Sequence, residues 1–365
     1  MRHALALGRR GQGRTAPNPA VGCVIVKDDR IVGRGWTQPG GRPHAEVRAL
    51  NQAGTQAYGA QAFVTLEPCS HQGQTGPCAL ALIEAGVSQV FVAIEDPDPR
   101  VSGRGLAMLR DAGITVHLGL CADEASRDLR GFLLSQTEGR PEVMLKLALS
   151  LDGRIATASG ESQWITGPDA RRRVHAMRST HDAVMVGGGT ARADDPSLTV
   201  RGLGVSHQPV RVVLSRKLDL PRQSNLARTA RDVPVWIIHG VGAHREACAA
   251  WSALGARLFE VTRDGPHLDP SAALQTLAEA GITRVFCEGG GQLAGSLLAR
   301  DCVDRLAVFS AGLALGAEGQ PSIGALGLER LSEARRFARC AQHAVGPDTL
   351  TLWERSGFCV ANANS

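Results

Sequence analysis

The segment "RPHAEVRAL", Arg42 to Leu50, places a histidine and a glutamate two residues apart directly behind a proline. Pro43 suits the first turn of a helix, where its missing N–H has no partner to lose. Val47, Ala49 and Leu50 then give that helix a face to bury. Side chains two apart on a helix diverge by roughly 200°, so His44 and Glu46 do not both point at one ion. Either one of them binds a metal while the other lies beside it, or the pair is a solvated surface turn.

The segment "TLEPCSHQGQTGPCALALIEAG", Thr65 to Gly86, favours the metal. It follows an apolar strand, carries Cys69 and Cys78 on either side of a Gly/Gln/Thr-rich loop, and flows into a helix behind Pro77. One imidazole and two thiolates suit Zn²⁺, and three protein ligands leave a fourth position for water. A helix N-terminus stabilises a thiolate, and bound zinc lowers the pKa of water from ~15.7 towards ~7. His44 then ligates while Glu46 stays unligated as the proton carrier between water and a leaving amine. His-Ala-Glu, then Pro-Cys, then a second Cys at a helix start matches the zinc-deaminase pattern, except that eight residues separate the cysteines instead of two, a departure that either spoils the match or selects a subfamily. His71, inside the loop, is expected to be solvated or to touch substrate, since a fourth protein ligand would close the open position.

Working outward, "AVGCVIV" and "RIVGRGW" are two strands joined at Lys27-Asp28-Asp29, a hairpin. "QAFVTL", "QVFVAI" and "ITVHLGL" read as further strands, with helices over "CALALIEAG" and "GLAMLRDAG" and a single helix from Asp123 to Gln136. The polar stretch "SQTEGRPE" reads as a linker, placing domains at 1–140 and 141–365. Beyond it, "VMLKLALSLDG", "DAVMV", "PVRVVL", "PVWIIHG", "ARLFEV" and "ITRVFCE" are strands. Helical patterns cover Asp169 to Met177, Ala243 to Leu254, Ser271 to Ala280 and Gln292 to Ala299, and the tail after Trp353 reads as frayed. Two strands run straight into glycine triplets, Gly187 to Gly189 and Gly289 to Gly291, the second opening a helix. Such turns bring phosphates close to backbone N–H groups, although they also serve as plain strand-to-helix turns.

Composition narrows the classes. The 365 residues are 43% hydrophobic and 21% charged, with a formal net charge of +5, which suits about two globular domains. No apolar run reaches the ~18 residues of a membrane span, and no signal-peptide core is visible, so the expected location is cytoplasmic. Aromatics are 4% of the chain and no stretch interleaves them with cations, which argues against nucleic acid. Nine cysteines in such a chain do not suggest a disulfide framework; Cys23, Cys121, Cys248 and Cys302 are expected in the core.

The stretches "TAPNPAVGCVIVKDDRIVGRGW", "GGRPHAEVRAL", "VTLEPCSHQGQTGPC" and "EDPDPRVSGRGLAMLRDAGI" together resemble the deaminase half of the bifunctional riboflavin-biosynthesis deaminase/reductase family, where the longer cysteine loop is the rule. "KLALSLDGRIATASGESQWIT" with "ARADDPSLTVR" is similar to the reductase half. The resemblance implies an α/β chain: an N-terminal cytidine-deaminase-like α/β/α domain and a C-terminal dihydrofolate-reductase-like α/β domain. It implies one zinc per chain on His44, Cys69 and Cys78, with Glu46 as proton donor and Asn18 contacting substrate. It implies NADPH contacts at Ala148, Trp164, Thr190, Asp194 and the segment Gly290, Gly291, Gln292, Leu293, Ala294, Gly295 and Ser296. A further cofactor-contacting serine falls at Ser215 or is displaced by Arg216.

Substrate contacts are implied at Ser162, Arg178, Leu198, Arg201 and Glu288, the arginines being suited to grip a phosphate. Lys146 and Asp194 are the candidates for polarising the sugar carbonyl and relaying a proton. The implied substrate is a small phosphorylated pyrimidine, 2,5-diamino-6-ribosylamino-4(3H)-pyrimidinone 5′-phosphate, and the implied assembly a homo-oligomer. The rival readings are a zinc deaminase acting on nucleic acid, and a structural zinc module beside a nucleotide-binding domain. The long cysteine loop opposes the first, and Glu46 beside a three-ligand set opposes the second.

Overall fold

The computed structural model describes residues 1–71, 76–98, 101–265 and 267–356. These residues form two compact units, 1–139 and 140–356.

The first unit holds a five-stranded sheet of β1 (Gly22–Lys27), β2 (Arg30–Trp36), β3 (Gln61–Val64), β4 (Gln89–Val92) and β5 (Thr115–Leu118), in the order β2-β1-β3-β4-β5. The β1–β2 hairpin forms where the sequence places it. Lys27 pairs with Arg30, and Asp28 and Asp29 both take positive φ, 48° and 58°, as a tight right-twisted hairpin turn requires. Strands β3, β4 and β5 run parallel, so each connection must cross over the sheet; helices Cys78–Glu84 and Arg104–Asp111 do so. The helix expected over Asp123 to Gln136 is two, Ala122–Asp128 and Arg130–Thr137, because Leu129 leaves helical geometry (φ −97°, ψ 3°).

Helix Ala45–Ala53 is seated by glycines. Alternate residues Gly33 and Gly35 of β2 face it, and a Cβ on them would fall 2.2 Å from the Ala49 carbonyl oxygen and 2.0 Å from that of Ala45. With Ala45, Ala49 and Ala53 on the helix side, backbone lies almost on backbone. The helix carrying Glu46 therefore has one depth above the sheet.

The second unit contains β6 (Glu142–Leu149), β7 (Arg154–Ala156), β8 (Ala183–Gly187), β9 (Val210–Leu214), β10 (Val235–Gly240), β11 (Arg257–Val261), β12 (Arg263–Asp264), β13 (His267–Leu268), β14 (Arg284–Cys287), β15 (Arg305–Ser310), β16 (Gln320–Pro321), β17 (Phe337–Val345) and β18 (Asp348–Arg355). Nine of them make one sheet, β11-β10-β9-β8-β14-β6-β15-β18-β17. Pairing is parallel from β11 to β15 and antiparallel from β15 through β18 to β17. The inner strands read as unbroken apolar runs because both faces are covered; every residue of β14 is buried. Strand β14 lies between β8 and β6, so the chain order reverses there, and a crevice opens beyond the carboxyl ends of such strands. The tail is not frayed at Trp353: β18 continues to Arg355, whose N–H donates to the Asp304 carbonyl at 2.9 Å. Cys23 and Cys302 are buried as expected, whereas Cys121 and Cys248 are only half-buried. Among the described residues, no helix is long and apolar enough to cross a membrane.

Candidate active sites of the two units

In the first unit three donors from three segments converge. His44 is the N-cap of its helix, with extended backbone (φ −67°, ψ 163°), and Pro43 precedes the helix instead of opening it. Glu46 alone is helical, which is how residues two apart come to share a site. His44 Nδ1 lies 3.2 Å from Cys78 Sγ and 3.7 Å from Cys69 Sγ, and all three donor atoms fall within 4.8 Å of one another. A tetrahedral zinc with ordinary Zn–N and Zn–S bonds sets its N and S ligands about 3.6 Å apart. The set fits zinc, and the donors are the kind zinc prefers. Cys69 also accepts the Cys78 backbone N–H at 3.3 Å. Hydrogen bonds from the Cys78 thiol, and then from His44 and that N–H, hold the Cys69 thiol down to about 4 against its burial.

Glu46 is 3% exposed. Burial first, and the Cys69 charge second, push its carboxyl up to about 7. His71 is exposed, and residues 72–75 of the loop lie outside the described residues. Asn18 packs on Gly41: a Cβ there would lie 2.0 Å from the Asn18 amide nitrogen. Glu67, two residues before Cys69, went unread in the sequence. It accepts the N–H groups of Asp96, Gly103, Gly105 and Leu106 at 2.8–3.2 Å, tying the cysteine segment to the Asp96 loop and to helix Arg104–Asp111.

In the second unit a cavity of about 1300 Å³ opens at the carboxyl ends of the parallel strands. Lys146 and Ala148 of β6, both glycine triplets, Thr190, Asp194, Leu198, Arg201, Ser162, Trp164, Arg178 and Glu288 all line it. So does Ser215, whose hydroxyl donates to Asp219 at 3.1 Å. Gly290 N–H donates to Thr190 Oγ1 at 3.0 Å, linking the two glycine turns. Burial lowers the Lys146 ammonium, with Glu288 and Asp194 opposing the shift; burial raises the Asp194 carboxyl.

Two sequence expectations meet a different setting, and one helical face went unread. Of the segment from Gly290 to Ser296, Ala294 and Gly295 do not line the cavity. The helix turns Ala294 into the core (0% exposed), and Gly295 meets the backbone of Gly324. Arg178 does not hold its guanidinium open for a phosphate, because Nε and Nη2 donate to the two Glu288 oxygens at 2.5 and 3.0 Å. Burial pushes Glu288 up, but Arg178 outweighs it and the carboxyl ends below its usual value. Finally, His175 and Arg171 line the cavity on the same helix as Arg178. Arg171 stacks on Trp164, 4.4 Å from the ring centre. The spacing 171, 175, 178 was the available signal, since it marks one helical face.

Comparison with known proteins agrees with this arrangement. Residues 1–94 match the cytidine and deoxycytidylate deaminase zinc-binding region, and residues 141–348 match the RibD C-terminal domain. The chain is 43% identical over 361 residues to riboflavin biosynthesis protein RibD of Escherichia coli K12, covering 95% of this chain and 96% of the relative. It is 41% identical to the RibD of Bacillus amyloliquefaciens, covering 95% and 93%. Among solved structures, RibD of Acinetobacter baumannii superposes with a TM-score of 0.87 at 39% identity, covering 97% of each chain. A deaminase/reductase from Thermotoga maritima superposes with a TM-score of 0.84 at 32% identity, also covering 97% of each. Two catalytic units in the same order, and relatives matched along nearly their whole length, place the chain in the RibD family of riboflavin biosynthesis proteins.

Proposed function

We propose that residues 1–140 deaminate 2,5-diamino-6-ribosylamino-4(3H)-pyrimidinone 5′-phosphate by hydrolysis, and that residues 141–365 use NADPH to reduce the ribosyl side chain, giving 5-amino-6-(5-phosphoribitylamino)uracil. The observation that carries this reading is the convergence of His44 Nδ1 with two thiols beside the buried Glu46, on a chain that also holds a cavity walled by two glycine turns.

His44, Cys69 and Cys78 would hold zinc, which would supply a water of lowered pKa. Glu46 is placed to take a proton on a carboxylate oxygen and to deliver it to the departing amine nitrogen. Its burial keeps bulk water away from the proton it carries. Oxygen replaces the 2-amino group and ammonia leaves. Asn18, held by Gly41, contacts the pyrimidine.

NADPH supplies the hydride for the second step. The N–H groups of the glycine turns and the N-terminus of helix Gly291–Ala299 would hold its phosphates, and Thr190, Trp164, Ala148, Asp194 and Ser215 would contribute to holding it. Lys146 polarises the sugar carbonyl oxygen, and Asp194 relays the proton that this oxygen takes up. Arg201 holds the substrate phosphate, while Ser162, Leu198 and the Arg178–Glu288 pair orient the pyrimidine. The setting is cytoplasmic and the assembly a homo-oligomer of this chain, acting on small molecules and on neither nucleic acid nor membranes. The eight described cysteines, all free thiols, suit a reducing compartment.

The test is to supply the diaminopyrimidine phosphate and follow ammonia and NADPH together. Ammonia and oxidised cofactor in equal amounts, with ammonia still released when NADPH is omitted and neither signal altered by RNA, is the expected result. NADPH oxidation without ammonia would contradict it.

A further inference from the structure

Asp194, Leu198 and Arg201 face one cavity because the chain between them turns sharply. Asp195 follows helix Gly188–Asp194 with φ 38° and ψ 56°, and Leu198 has φ 54°. Residues other than glycine enter this left-handed region at a cost, smaller for aspartate than for leucine because a short polar side chain can hydrogen-bond locally. Asn225, thirty residues further along, holds Asp195. Its backbone N–H donates to Asp195 Oδ1 at 2.7 Å, and its Nδ2 donates to the Asp195 carbonyl at 2.8 Å and to Oδ2 at 2.9 Å. The amide's other end is committed as well, Oδ1 accepting from Arg228 Nη2 at 2.7 Å, which fixes the end that faces Asp195. Arg211 supports the next residues, Nη1 donating to the Ser197 carbonyl at 3.4 Å. Asp195 lines the cavity, whereas Asn225 stands behind it.

We infer that Asn225 is a positioning residue for the reduction: by clamping Asp195 in the left-handed conformation it aims Asp194 towards Lys146 and holds the Leu198–Arg201 wall. The inference rests on the reading above that Asp194 takes part in reduction. The requirement is specific to the amide. Alanine at 225 offers Asp195 no side-chain donor, and aspartate would set carboxylate against carboxylate. Glycine at 195 would reach the same backbone conformation without any clamp.

The test compares Asn225→Ala, Asn225→Ala/Asp195→Gly, Asn225→Ala/Asp195→Ala and Asp194→Asn in the full chain. Asn225→Ala is expected to lower kcat for reduction by about ten-fold or more through misplacement of a reacting group. Ammonia release should stay within about two-fold, whereas NADPH affinity, read by fluorescence titration, should fall by much less than kcat, because Asp194 is one of several cofactor contacts. The glycine double variant should recover most of the loss and the alanine double variant none. A merely structural role would shift melting without separating kcat from NADPH affinity, and glycine would not rescue it. Wild-type kcat in Asn225→Ala, or a loss that Asp195→Gly leaves in place, overturns the inference; Asn225→Leu, of similar size and without a donor, carries the same expectations should the alanine variant not fold. Wild-type reduction by Asp194→Asn would instead overturn the reading of Asp194 beneath it, which separates the two failures.

Discussion

Arg178 grips Glu288 with two near-parallel hydrogen bonds, Nε to Oε1 at 2.5 Å and Nη2 to Oε2 at 3.0 Å, and spends Nη1 on the Thr199 carbonyl at 2.8 Å. Both side chains are about nine-tenths buried. The pair is a fixed wall of the reductase cavity, and the exposed Arg201 lines the same cavity, where its guanidinium can meet a phosphate. The two arginines therefore fail differently. Arg178→Ala strands a buried carboxylate, which costs about 3 kcal/mol of stability and lowers the melting temperature of the reductase unit. Arg201→Ala leaves melting unchanged and raises KM for the phosphorylated pyrimidine roughly ten- to a hundred-fold, the worth of one charged hydrogen bond. Thermal melts beside steady-state kinetics distinguish them, and equal behaviour would sink the distinction.

Gly35 is expected to matter for deamination because it seats the helix that carries Glu46. A methyl group there would meet the Ala45 carbonyl oxygen at 2.0 Å and the Ala49 nitrogen at 2.7 Å, both backbone atoms. Gly35→Ala must lift the helix that carries Glu46 and follows His44. Displacements of about 1 Å at a catalytic group cost ~10²-fold in rate, so ammonia release should fall by about that factor. NADPH-dependent reduction of deaminated substrate should persist, and an unchanged rate of ammonia release would show that the helix seat does not matter.

His181 sets an acid limit on the second unit. Burial first, then Arg284, hold its imidazole down to about 3, while its Nδ1–H donates to the Met177 carbonyl at 2.7 Å and its ring packs on Phe286. Above the unfolded histidine pKa of about 6.5 the ring is neutral in both states and contributes no pH dependence. As pH falls from about 6.5 towards 3, the unfolded chain takes up a proton that the folded one refuses, and stability drops by up to about 1.4 kcal/mol per pH unit. Denaturant melts at pH 7.5 and 5.5 should show this loss, and His181→Gln should reduce it. Parallel pH slopes in the two proteins would exclude His181 as the cause.

What the sequence revealed and what it hid follow one physical division. The Asp28–Asp29 turn, the apolar strands of the parallel sheet and the His44, Cys69 and Cys78 donors were legible because local backbone chemistry or side-chain type decides them. Strand β17, "FARCAQHAV", was not, since its residues are exposed or half-buried throughout and pairing with β18, not a buried face, makes it a strand. The break at Leu129 has neither proline nor glycine at that position to announce it. Glu67 was missed because its partners are backbone N–H groups some thirty residues away. Arg178 was read as one of two arginines suited to grip a substrate phosphate, and its Nε and Nη2 are taken by Glu288. Sequence shows that a fork exists; only the fold shows what it holds.

Zinc retention separates ligands from the proton carrier. His44→Ala should lose the metal, one ion per chain in the parent, whereas Glu46→Ala should keep it. Metal analysis of the purified variants checks this, and a Glu46 variant without zinc would place that carboxylate among the ligands.

The most direct measurement follows ammonia and NADPH in Glu46→Gln, a change that keeps the side chain's size and removes its proton chemistry. Given the diaminopyrimidine phosphate, this variant should release no ammonia and consume no NADPH; given the deaminated pyrimidine, it should consume NADPH at the parental rate. Ammonia release at the parental rate by Glu46→Gln would contradict the account.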